Sequence, residues 1–359
     1  AAAGATVYLA ITSADAAQAN VGRQGVGGTY TLVMNGDGFT ASTDIRGIGD
    51  GSGAAVVDGN VHLNVTGSSI SGTVDVCYGT ITGNVYVNVS NSTSTWVSPF
   101  TGRIGGSIAT TITNSRVTNV YGTEVVVDGD LTLELSGVSS TLLYGIAGNA
   151  SIGGTLTMSI SGSTTGILRG VETGSGTGEG GNVVIDVSAS TILGIGNTVG
   201  MIGVQSGTVE NLTATLNDSA VGSVVGVSGG TVQGAISFEL NNASVTGDFT
   251  GKTALTQSES MTYDISASTI SGTFIGGANV GSNASTESLA AFSGNLTIGI
   301  DDSTFGDDFY GGGWSSASAT GSFNQISIGG TLSITATNAV FGGDLFVAGY
   351  AESRGDVVQ

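Results

Sequence analysis

The sequence is short of cations. Lysine and arginine together number 7 in 359 residues, against 27 acidic residues, which leaves a formal charge of −20. Lys252 is the single lysine. So few cations do not neutralise a run of phosphates, which excludes nucleic acid as the expected partner. Anionic lipid is excluded on the same ground. Cysteine is limited to Cys77, so no internal disulfide forms. No stretch approaches the roughly 18 uninterrupted apolar residues of a membrane helix, so no membrane insertion is expected. Helical patterning is missing too: no 3.6-residue period runs through the chain, and a composition rich in Gly, Ser, Thr and Val disfavours helix. Barrels and doubly wound sheets that place helices between strands are thereby excluded.

Glycine is abundant, at 63 residues, but has no every-third-residue period, so the chain is not collagen. Hydrophobic residues at 39% suffice for a core, which argues against disorder. One pattern recurs: a glycine (or Glu210, Glu259), a small polar residue, then strict alternation. "GNVHLNV" at Gly59, "GNVYVNV" at Gly83, "GDLTLEL" at Gly129 and "GNLTIGI" at Gly294 are examples among twelve copies, the first at Gly28 and the last at Gly330. Of the 36 alternate positions on one side, only Thr110 is polar. Of the 24 positions between them, only Val33, Tyr86, Ala109 and Val184 are apolar. This is the period of a strand with one buried face.

Each copy continues into a small polar turn rich in Ser and Thr, whose side chains can bond the local backbone. A second apolar segment follows and ends at another glycine, as in "LLYG" at Gly145 and "FYG" at Gly311. Copies start 23 to 36 residues apart. That interval fits one coil of a parallel β-solenoid: short strands and their corners. The expectation is an all-β chain, a parallel β-helix of about 12 coils of roughly 23–36 residues, with the glycines at corners of positive φ or close packing. A β-sandwich with hairpins is the alternative. The longest spacings place extra residues at 172–180, 278–293 and 314–327, read as loops inserted on one side.

Residues 1–27 lack the full pattern, although "TVYLAIT" alternates, and are read as an N-terminal cap or an assembly strand. Residues 28–359 are read as solenoid, with the last coil incomplete from Gly355. "GDVVQ" resembles the opening of another copy, so Arg354-Gly355-Asp356 reads as a chance meeting at a repeat boundary rather than an integrin signal. Exposed strand edges at coil ends template pairing, and head-to-tail contacts of matching ends give open filaments. The expected assembly residues are Val7, Leu9 and Ile11 at one end and Asp356, Val357 and Val358 at the other.

The texture of "GNLTIGIDDSTFGDDFYGGGW" (294–314) resembles the repeat regions of bacterial autotransporter-type and adhesin-type surface proteins. The resemblance covers roughly residues 28–359 and implies export to the cell surface and a passenger-like structural or adhesive role. The C-terminal membrane barrel that such families often carry is not part of this sequence, and no catalytic residue carries over.

Candidate chemistry is sparse. Asp301, Asp302, Asp307 and Asp308 form the densest acidic cluster. Carboxylate oxygens of this kind bind Ca²⁺, and paired carboxylates hydrolyse glycosidic bonds; the plainer alternative is two solvated turns. No other cofactor is expected. His62 has no second histidine to form a metal site or a triad, and Cys77 has no histidine at hand. Tyr78, Tyr121, Tyr144 and Tyr310 recur before the second glycine, as a packing ladder or a sugar-gripping surface. The expectation is a non-enzymatic, extracellular structural solenoid that assembles with itself. An adhesin binding cells or glycans through inserted loops is the second reading, and a carbohydrate-active enzyme the third.

Overall fold

The computed structural model describes residues 5–11, 18–20, 26–37, 40–41, 44–48 and 55–353, except 99–100, 174–178, 195–198, 254–256, 259, 283–287 and 318–323. Side chains are described from residue 56 onward, with gaps that include 76–78 and 281–292. Among the described residues every regular element is a strand, and every described strand pairing is parallel. A sandwich of hairpins would pair antiparallel neighbours, so the chain is a β-solenoid. By contacts it divides into two units, residues 1–166 with 170–181, and residues 167–169 with 182–359.

In the first unit the alternating segments form one ladder: Ala5–Ile11, Val26–Asp37, Ala55–Thr66, Val85–Ser90, Ile108–Thr113, Leu131–Ser136 and Leu156–Ser161. In the second unit Val183–Ser188, Leu212–Asn217, Ala235–Asn241, Ser260–Ser266, Leu296–Asp301 and Leu332–Thr337 do the same. From Val61 onward the registers keep apolar positions together: Val61 stands opposite Val85, Val85 opposite Ile108, Ile108 opposite Leu131. A one-residue slip would turn every apolar side chain to water. Accordingly the inward side chains of the ten copies from Gly59 to Gly294 are at most 3% exposed, Thr110 included.

A second face faces this ladder. It runs through Thr73–Ile81, Thr93–Ser98, Arg116–Thr123 and Ser139–Gly148 in the first unit. In the second unit it runs through Met201–Val204, Val224–Val227, Phe249–Thr253 and Phe274–Ser282. The second glycines Gly122, Gly145 and Gly276 lie here, at packing positions rather than turns. A Cβ on Gly145 would lie 2.6 Å from the Gly170 carbonyl oxygen of the next coil and 2.6 Å from Leu156 Cδ2 on the facing ladder. The small column leaves room for large side chains opposite. In the second unit these include fully buried Phe238 and Tyr263, stacked at 5.6 Å, and the Tyr263 hydroxyl donates to the Gly276 carbonyl at 2.6 Å.

Positive φ falls mostly elsewhere, at the turn after each ladder strand: Asn91, Asn114, Asp218, Asn242, Asp302 and Asn338 adopt it, as do Ala189 and Ala267. The serine that follows knits coils together. Ser92 Oγ donates to its own chain at Ser90 O (2.7 Å) and accepts the Ser68 N–H of the neighbouring coil (3.0 Å). Ser163, Ser219, Ser268 and Ser303 do likewise. The polar residue after the marker glycine forms a second such ladder. The Asn84 N–H bonds Asn60 Oδ1, the Ser107 N–H bonds Asn84 Oδ1, and the Asp130 N–H bonds Ser107 Oγ, at 2.8–3.0 Å.

The insertions are not simple loops. In the stretches 278–293 and 314–328 the chain forms Ser288–Phe292 and Asn324–Ile328, which pair with each other, and Ser288–Phe292 also pairs with Gln257–Ser258. Extra residues inserted at the same corner of successive coils find one another, so each supplies the other's backbone partners.

Candidate functional site

The four aspartates sit at two different corners of one coil. Asp301 ends the strand Leu296–Asp301, and Asp302 takes positive φ and accepts the Asn338 amide at 3.0 Å. Asp307 accepts the Thr273 hydroxyl at 3.2 Å. Asp308 accepts the Asp344 N–H at 2.8 Å and the Tyr310 hydroxyl at 2.9 Å. Asp248, which accepts the Thr273 N–H at 2.9 Å, occupies the equivalent corner of an earlier coil. Among the described residues no three His, Cys, Asp or Glu side chains gather as a metal-holding group. The sequence read these carboxylates as a cluster; the coil parts them, and at least Asp308 serves a corner ladder.

The tyrosine column is partly assembled. Tyr121 and Tyr144 stack at 5.1 Å between ring centres, and Trp96 tilts against Tyr121 at 5.1 Å. Trp96 is aligned with Asn119, two places before the tyrosine position, so the spacing to the second glycine does not find it. Tyr121 is thus packed between Trp96 and Tyr144. Glu124 stands beside it, half-buried, accepting the Ser98 hydroxyl at 3.1 Å. Burial raises the Glu124 carboxyl above its ordinary value, and the Ser98 hydrogen bond opposes that. Burial, with Tyr144, Glu124 and Glu172 adding like charge, pushes Tyr121 up to about 12. In the second unit Tyr310 instead stacks on Phe346 at 4.9 Å. The Tyr78 and Cys77 side chains lie outside the described residues. His62 stacks on Tyr86 at 4.4 Å, and burial lowers its pKa.

The candidate site is the coil face presented by residues 332–353. Leu332, Ile334 and Ala336 are aligned with Leu296, Ile298 and Ile300. The latter three are at most 3% exposed, whereas the first three are half-buried or exposed. Val340 is 57%, Leu345 49% and Val347 51% exposed. Among the described residues nothing covers this face. In the first unit Val7, Leu9 and Ile11 stand opposite Leu32, Met34 and Gly36, the register column that continues through Val61, Leu63 and Val65. The strand Ala5–Ile11 and the strand Leu332–Thr337 therefore occupy the same place in their repeats. Asp356, Val357 and Val358 lie outside the described residues.

Comparison with protein-family models, with curated proteins and with solved structures finds no match.

Proposed function

We propose that this chain is a non-enzymatic structural β-solenoid of an extracellular surface or matrix, and that it works by adding coil to coil with further copies of itself. The observation that supports the reading is the in-register parallel stacking, in which Leu332, Ile334 and Ala336 continue the column of Leu296, Ile298 and Ile300, and Val7 and Leu9 continue that of Leu32 and Met34. A strand ladder with a flat, apolar end is a template for another strand, and contact between two different ends propagates without closing. The scarcity of lysine and cysteine, and the resemblance to exported repeat proteins, support the extracellular placement.

Sedimentation velocity and negative-stain microscopy of the purified 359-residue chain test this. Concentration-dependent, open-ended oligomers are expected. A strict monomer up to high concentration would overturn assembly. If that monomer binds cells, the adhesin reading takes over. The observation that favours that second reading is the extra sheet of Gln257–Ser258, Ser288–Phe292 and Asn324–Ile328, raised at one corner of the second unit.

A further inference from the structure

In the first unit the turns after four successive ladder strands line a groove of about 730 Å³. Its floor is Ser68, Ser92 and Ser115, each at most 5% exposed. One rim is the positive-φ column of Gly67, Asn91, Asn114 and Gly137. The other rim is Ser69, Thr93, Arg116 and Ser139, all exposed. The groove thus crosses neighbouring coils, whose strands stand roughly 4.8 Å apart, and offers an amide or hydroxyl at nearly every coil.

Its charge is the opposite of the chain's. No acidic residue lines it, although acids outnumber cations 27 to 7 in the sequence. The same turn in the second unit carries Asp218 and Asp302. Among the described residues the Arg116 guanidinium makes no ion pair, and the Asn91 and Asn114 side-chain amides make no hydrogen bond. The serine hydroxyls of the floor, by contrast, are committed to the backbone.

We propose that this groove binds an acidic oligosaccharide, with a sugar carboxylate on Arg116 and ring hydroxyls on the amides of Asn91 and Asn114 and the hydroxyls of Thr93 and Ser139. A guanidinium forks onto a carboxylate through two parallel hydrogen bonds. Sugars need many small donors and acceptors, which this rim supplies. A peptide would instead seek an apolar pocket or a free strand edge, and the strands here are paired on both sides. The chain's charge of −20 gives no general attraction for anions, so a sugar carboxylate is held locally, at Arg116. This site is separate from the coil face of residues 332–353 and does not depend on assembly.

Calorimetry with a tetrasaccharide of uronic acid is the test, run beside its full methyl ester and beside inorganic sulfate. Binding of the acid form is expected, weakened at least about tenfold by esterification and by Arg116→Gln, as befits loss of a charge-assisted hydrogen bond. Arg116→Lys is expected to fall between, since it keeps the charge and loses the fork. Ser139→Trp, which fills the rim, is expected to abolish binding while leaving the urea midpoint unchanged. Absence of binding by the acid tetrasaccharide overturns the proposal. So does equal binding of the ester, which needs no variant to fold, or full competition by inorganic sulfate, which would reduce the groove to a bare anion site.

Discussion

Lys252 is fully buried on the strand Phe249–Thr253, and burial lowers its pKa to about 8. The unfolded value is near 10.4. Below about pH 8 both states hold the proton, and the cost of burying the charge is present in full. Between about pH 8 and 10.4 the unfolded chain holds a proton that the folded chain has released, so stability rises with pH. Urea midpoints should therefore climb from pH 8 to 9.5 in the native chain, and the climb should vanish in Lys252→Met. A flat native profile would refute this. Ala189 and Ala267 offer a second case, at φ 46° and 47° in a turn column otherwise held by Gly, Asn and Asp. A left-handed conformation costs an alanine about 1–2 kcal/mol that glycine escapes. Ala189→Gly is expected to stabilise the second unit by roughly 1 kcal/mol in chemical denaturation, offset in part by the greater freedom of unfolded glycine.

At the scale of the element, the alternating strands were legible in the sequence because one buried face imposes a period of two, and thirty inward side chains from Val61 to Ile300 are buried as that period requires. The glycines were legible as markers but not as to cause. Gly145 is required by what the next coil and the facing ladder place against it, and no local signal carries that information. Gly145→Ala is expected to destabilise the first unit by about 1–3 kcal/mol, the usual range for overpacking. A circular-dichroism melt unchanged from the native chain would sink the close-packing account. The aspartates show how a coil separates sequence neighbours. Asp302 and Asp307 are near in sequence, but a short strand, Thr304–Phe305, lies between them, so each stands at its own corner.

At the scale of the molecule, the exposed coil face gives assembly a specific lever. Leu345→Lys combined with Val347→Lys puts two cations on a face that further strands would have to bury, and a buried unpaired charge is costly. Both positions are already exposed, so the fold should persist. The double variant is expected to sediment as a monomer under conditions where the native chain forms oligomers. Oligomers of undiminished size would place the contact elsewhere.

The sequence by itself determined the strands, their inward faces, the coil interval and the polar character of the corners, because each follows from a short-range period in hydrophobicity or from turn chemistry. Only the tertiary structure decided which residues meet across coils. The Ser92 hydroxyl meets the Ser68 N–H, and the space at Gly145 is bounded by Gly170 and Leu156. The turns of the first unit line up into a groove with Arg116 on its rim. The meetings between neighbouring coils join residues some 23–36 positions apart. Their geometry is set by stacking, which no stretch of the chain encodes alone.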